Sequence, residues 1–144
     1  MQTDTSPRFD LPTVEGDSEP WWSAIADGRL MVEVCNSCGS VHLYPRSMCP
    51  SCWSEDVELR ESSGVGTLYA FSVVRMNDLP PFGERVPYVV GVVELAEGPR
   101  LMTNIVDVPV ESVQIGMAVR FRARLLADGV SAPDFFPLSK EHAA

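Results

Sequence analysis

The chain has 144 residues, of which 45% are apolar and 22% charged, values that suit one folded core with at most a small appendage and exclude a disordered polymer. Its net charge is −9, and a single lysine, Lys140, stands against twenty carboxylates. Nucleic-acid binders gain most of their affinity by neutralising phosphates with cationic side chains, so general nucleic-acid binding is disfavoured.

No stretch approaches the roughly 20 apolar residues of a spanning helix, and Met1 to Pro7 lack the basic and apolar regions of a signal peptide. A cytoplasmic protein without membrane attachment is expected. In that reducing compartment Cys35, Cys38, Cys49 and Cys52 serve as metal ligands or a redox pair before they serve as a disulfide framework.

Residues 1–16 are polar, contain proline and lack periodicity, which reads as a flexible lead-in or an arm lying on a partner. A helix is expected from Asp17 or Ser18, where a side-chain oxygen can accept hydrogen bonds from the first turn, with Pro20 tolerated near its start and Gly28 ending it. Trp21, Trp22 and Ile25 then share one side. Two readings of the Trp pair stand: burial against the rest of the domain, or docking on a partner chain.

From Leu30 the period becomes two, with Leu30, Val32 and Val34 alternating against Met31, Glu33 and Cys35, and Val41–Tyr44 reads as the return strand. A further strand is expected at Val57–Glu61, broken or bent by Ser62–Gly66. Strands follow at Thr67–Arg75, Tyr88–Leu95 and Arg100–Val106, with a proline-rich loop, Leu79–Gly83, after the first and a hairpin, Ala96–Pro99, after the second. In the next strand Val119, Phe121, Ala123 and Leu125 alternate with Arg120, Arg122 and Arg124, one face apolar and the other basic. Asp128–Gly129 turns the chain towards Phe135–Leu138, and Lys140–His142 form a charged tail.

The fold class is therefore mainly β: an N-terminal helical segment (residues 1–28), a rubredoxin-like zinc ribbon (29–56) and an OB-fold β-barrel (57–144), with an antiparallel sandwich as the alternative to the barrel.

The two C-x2-C pairs are separated by ten residues. Zinc takes four thiolates tetrahedrally, and two tight turns supply them. Iron satisfies the same ligand count, whereas a bond within either pair implies a helical redox motif that these loops do not support. Gly39 fits a turn that needs positive φ; Trp53 fills the matching place, so the second turn is expected to be built differently. His42, with four cysteines already available, reads as a surface residue of the ribbon.

Four protein ligands leave no open position, so the ion stabilises and does not catalyse. The sequence contains no Gly-x-Ser-x-Gly elbow, phosphate loop or dinucleotide fingerprint. The Arg120, Arg122, Arg124 row reads as the wet face of the barrel, or as a clamp for coenzyme A phosphates or acidic partner residues.

The order Gly28-Arg29-Leu30, Cys35-x-x-Cys38-Gly39, Tyr44-Pro45-Arg46, Cys49-Pro50-x-Cys52, Gly64-x-Gly66-Thr67, Pro87-Tyr88 and Ile115-Gly116-Met117-x-Val119, after a Trp-containing helix, resembles domain-of-unknown-function family 35. These are zinc-ribbon plus OB-fold proteins associated with acyl-CoA metabolism. Trp53 where Gly is usual and Tyr44 where Phe is common depart from the pattern. The resemblance implies a non-catalytic accessory subunit of a thiolase-like or lipid-transfer-type protein, thiolase or steroid side-chain aldolase. Two copies of each chain and acyl-CoA at or near the interface are implied too. Trp21, Trp22, Tyr44, Phe82 and the arginine row are the expected contacts. The alternatives are a stand-alone acyl-CoA-binding protein or enzyme, and an OB-fold nucleic-acid module.

Overall fold

The computed structural model describes residues 8–138, so the Lys140–His142 tail lies outside the described residues. After a 3₁₀ turn at Gly16–Ser18, helix α1 spans Glu19–Ala26 with proline in its first turn, and Gly28 leaves it at φ 81°. Glycine has no Cβ to clash in that left-handed region, which is why the chain can turn there into the first strand. α1 buries Trp21, Ala24 and Ile25.

Strands β1 (Met31–Cys35), β2 (Val41–His42) and β3 (Val57–Glu61) form an antiparallel sheet in the order β2-β1-β3. Since β3 pairs with β1 from Cys35↔Val57 to Met31↔Glu61, the ribbon sheet runs past the expected boundary at residue 56. The return strand is also shorter than Val41–Tyr44, because the chain leaves the sheet after His42 to carry the second cysteine pair.

The expected alternation in β1 fails at Glu33, which is buried. Its carboxylate can leave water because Oε1 accepts from the Arg46 backbone N–H at 2.8 Å and lies 2.7 Å from His42 Nε2. His42 is therefore an interior residue and not the surface residue expected of a histidine left over by a four-cysteine site.

The remaining strands are β4 (Val65–Val74), β5 (Tyr88–Leu95), β6 (Arg100–Ile105), β7 (Ala118–Ala127) and β8 (Val130–Pro137). They close into a barrel in the order β4-β5-β6-β8-β7, with β7 returning to β4. All neighbours are antiparallel except β6 and β8. A five-stranded barrel of this connectivity is the OB-fold, and full closure removes the exposed sheet edges that a sandwich would retain.

The barrel closes tightly at Gly66, where a Cβ would come within 2.6 Å of both Glu94 O and Val93 Cγ1. Val93, Leu95, Leu101, Val119 and Phe135 fill the interior, and the same cluster continues through Trp21, Ile25, Leu30 and Val32. Helix, ribbon and barrel thus share one core.

Polar contacts clamp the joint between ribbon and barrel. The Ser62 hydroxyl donates to Glu97 Oε1, and the Ser63 N–H and hydroxyl donate to Oε2 at 3.3 and 3.0 Å. On another side the Met102 N–H donates to Tyr44 Oη at 3.1 Å. No helix among the described residues is long and apolar enough to cross a membrane.

A candidate four-thiolate metal centre and the surfaces around it

The end of β1 supplies Cys35 and the following turn supplies Cys38; a second turn, in the long connection to β3, supplies Cys49 and Cys52. In the first turn the Gly39 N–H donates to Cys35 O and the Cys35 N–H to Ser40 O, both at 2.9 Å. In the second, Trp53 N–H donates to Cys49 O and Cys49 N–H to Ser54 O, again at 2.9 Å. The turns are the same. Trp53 adopts φ 68° where Gly39 has φ 78°, so the expectation of a differently built second turn is corrected: the bonds imposed by the sulfur geometry override the side chain's preference.

All four Sγ atoms lie within 4.8 Å of one another, with Cys35–Cys52 and Cys38–Cys49 at 3.6 Å. A tetrahedral zinc thiolate has sulfur–sulfur edges of roughly 3.8 Å, from Zn–S bonds of about 2.3 Å, so the cluster fits one zinc ion. The electrostatics agree. The Cys38 backbone N–H holds the Cys35 thiol below its ordinary range against burial. Burial opposes ionisation of Cys49, yet the Cys52 and Ser51 N–H groups and the neighbouring thiols bring it down to about 6. The Ser54 N–H favours a Cys52 thiolate, but burial and the three other sulfurs push that thiol up to about 12. Four sulfurs this close cannot all ionise unless a cation neutralises them, and a divalent ion does so.

Around the sulfurs the turns are tied to each other. Ser37 and Ser54 hydroxyls lie 2.7 Å apart, Asn36 Nδ2 donates to Asp56 Oδ1 at 3.0 Å, and Arg60 Nη2 donates to Asn36 Oδ1 at 3.2 Å. These contacts orient the ligand turns much as outer-shell partners orient ligands in other metal sites. With all four positions filled by protein, the zinc is structural.

The other expected contact residues do not form one surface. Trp21 is 1% exposed, and its indole N–H donates to Met31 O at 3.0 Å, so its ring belongs to the core and is withdrawn from any partner contact. Trp22 is half-buried beside it, with ring centroids 4.9 Å apart. Tyr44 packs edge-on to Trp21 and remains exposed. Phe82 is half-buried in the proline-rich loop, 6.2 Å from the Tyr88 ring.

The arginine row is divided as well. Arg122 pairs with Asp107 at 2.8 Å, and Arg124 Nε donates to Asp134 Oδ2 at 2.6 Å, while Arg120 is exposed. Arg120 and Arg122 are thus exposed, Arg122 within a surface ion pair, while Arg124 is half-buried on Asp134. The last pairing is diagonal: β7 and β8 set Arg122 opposite Asp134 and Arg124 opposite Ala132, so Arg124 reaches Asp134 from two residues along the same face, while β6 and β8 set Asn104 opposite Asp134. Burial pushes the Asp134 carboxyl up, against the opposing pull of Arg124.

Sequence reasoning missed a further cluster. Residues from Arg8 onward lie on the chain's own barrel: the Phe9 N–H donates to Pro80 O at 3.2 Å, and Arg8 Nη2 donates to Leu126 O at 3.0 Å. Asp10 lies between Arg8, at 2.8 Å, and Arg85, at 3.1 Å. The only local signal was the Arg8-x-Asp10 spacing, which by itself says nothing about Arg85.

A four-thiolate ribbon joined to an OB barrel through a common core defines the class of protein. Residues 22–58 match the family described as "ChsH2, rubredoxin-like zinc ribbon domain", and residues 59–124 match "ChsH2, C-terminal OB-fold domain". A "DUF35 domain-containing scaffold protein" of Methanocaldococcus jannaschii is 38% identical over 112 residues, spanning 75% of this chain and 78% of the relative. The chain belongs to the DUF35 family.

A "Probable enoyl-CoA hydratase alpha subunit" of Thermomonospora curvata is 35% identical over 120 residues, 82% of this chain; the chain spans only 37% of that relative's length. "Benzoylsuccinyl-CoA thiolase subunit BbsA" of Thauera aromatica is 36% identical over 89 residues, 60% of each protein. Among solved structures, a chain of the "Ltp2-ChsH2(DUF35) aldolase" superposes with a TM-score of 0.80 at 33% identity, over 88% of this chain and 98% of that one.

Proposed function

We propose that this chain is a non-catalytic accessory subunit of a thiolase-fold acyl-CoA enzyme, a thiolase or a side-chain retro-aldolase, which it stabilises and whose acyl-CoA site it helps to shape. The observation that carries the reading is the likeness, along nearly the whole of both chains, to a DUF35 chain of an aldolase assembly. A thiolase subunit among the relatives supports the same class of partner. The chemistry of the chain agrees with it: all four cysteines converge on one site, and His42 is engaged with Glu33 inside the ribbon sheet. Carbon–carbon bond chemistry then resides in the partner.

On this reading the assembly holds two copies of each chain, with acyl-CoA at or near the interface. Trp22, Tyr44, Phe82, Arg120 and Arg122 supply the contact, since they retain exposed surface. Helix α1, the ribbon and the barrel act together through their shared core.

The test is reconstitution. Affinity purification of the zinc-loaded chain from its host is expected to recover a thiolase-fold protein, identified by mass spectrometry, in equal amounts. That protein's acyl-CoA cleavage or condensation should fall at least tenfold when this chain is withheld. Recovery of the chain alone, or a partner equally active without it, would overturn the proposal.

A further inference from the structure

The residues at the arm define a site unrelated to the metal. Two hollows meet at Phe82, Arg85, Asn104 and Arg124. One, of about 230 Å³, is walled mainly by Phe82, Tyr88, Ile105 and Val106; the other, of about 260 Å³, runs beneath Phe9–Pro12 and beside Trp22. The first is larger than the roughly 150 Å³ cavity known to take benzene. In an OB barrel the second and third strands and the loop between the first and second form the usual ligand face, and here those are β5, β6 and the loop carrying Phe82 and Arg85.

The polar groups of this cleft differ in how they are matched. Arg124 is answered by Asp134, and the Asn104 amide donates to Val89 O at 3.1 Å. Arg85 is different, because the carboxylate it meets comes from the arm. The Asp10 side chain is 4% exposed, whereas that of Arg85 is 36% exposed at the lip. A cavity walled by aromatic and aliphatic side chains with a guanidinium at its mouth, already holding a carboxylate, is complementary to an acid with an apolar body.

We propose that this cleft binds a small aryl or short-chain carboxylate, whose headgroup takes the place of Asp10 on Arg85 and whose apolar body enters the cavity between Phe82 and Ile105. The arm is then an intramolecular competitor. Binding displaces the Asp10 carboxylate, and the apparent affinity of the wild-type chain is lowered by the fraction of molecules in which the arm is docked. The ion pair simply changes partner, so no covalent step is involved. The cleft shares Phe82 and Trp22 with the proposed partner surface, yet a test on the isolated zinc-loaded chain decides its occupant whatever the fate of the accessory-subunit reading.

Phenylacetate is titrated by calorimetry into the full zinc-loaded chain, its Asp10→Asn variant and its Arg85→Gln variant, with phenylacetamide as the uncharged control. Zinc content and thermal midpoint establish that each variant is folded. Asp10→Asn is expected to bind phenylacetate about tenfold more tightly than wild type, as the competitor is weakened, and Arg85→Gln to lose that binding. Equal affinity in wild type and Asp10→Asn, or binding that survives Arg85→Gln, overturns the proposal. Should Arg85→Gln fail to fold, the acid–amide comparison in Asp10→Asn decides: no preference for the acid overturns the proposal as well.

Discussion

Trp53 carries a tryptophan side chain at φ 68° and leaves 77% of it exposed, at a position equivalent to Gly39. A left-handed backbone costs an L residue roughly 1–2 kcal/mol that glycine largely avoids. Trp53→Gly is therefore expected to slow zinc loss to a chelator about fivefold, a gain near 1 kcal/mol; unchanged or faster loss would show that the indole itself supports the turn. Asp10 illustrates how a charge can be invisible locally. The Arg8 side chain, opposed by burial and helped by Arg85, holds its carboxyl down at about 2. A depressed acid contributes stability that is complete above its unfolded value near 3.8 and is lost as pH falls through about 2. Hydrogen exchange at the Phe9 amide should report it, since that group bonds to the barrel and not to the ribbon, whose thiolates release metal in acid. Wild type is expected to lose protection towards pH 2, and Asp10→Asn to lack protection already at pH 7; protection identical in both would remove Asp10 as the clip.

Among the elements, β4 to β7 lie within two residues of the limits implied by β-branched and aromatic residues bounded by turns, while β8 begins at Val130, five residues before the expected Phe135. β1 does not follow its pattern, because a local period cannot show that His42 and the Arg46 amide converge on Glu33. Gly66 is the element-scale weak point. A Cβ there would lie 2.6 Å from both Glu94 O and Val93 Cγ1, and the backbone oxygen cannot yield cheaply. Gly66→Val is expected to destabilise the chain by about 3 kcal/mol, at the upper end of overpacking effects. Thermal or denaturant unfolding checks this, and a shift below about 0.5 kcal/mol, the range of neutral surface changes, would mean that β4 and β5 are less closely joined than described.

At the scale of the molecule, metal and barrel are linked through a continuous core. The ribbon sheet is small, so its thiolate–zinc bonds supply folding free energy that apolar burial there does not, on the order of 10 kcal/mol. Cys38→Ser, or removal of zinc by a strong chelator, is expected to unfold residues of β1 to β3 and to expose Trp21, which packs beside Leu30 and Val32 in the shared cluster. Limited proteolysis should then cut between Met31 and Glu61 while the barrel resists longer. Verified metal removal that leaves protease resistance and tryptophan emission unchanged would contradict a structural ion.

The four-cysteine cluster, the places of the two ribbon turns and the strands β4 to β7 were legible in the amino-acid order itself. Short cysteine spacing, turn residues and two-residue periodicity are local properties, and local geometry carries them into the fold with little help. Tertiary structure alone decided that Trp21 is core and Trp22 only half-buried, that Arg122 and Arg124 are held by Asp107 and Asp134, and that Asp10 reaches Arg85 across 75 positions. Each depends on which distant side chains a closed barrel brings within a few ångströms, and a charge or ring in sequence does not announce its partner.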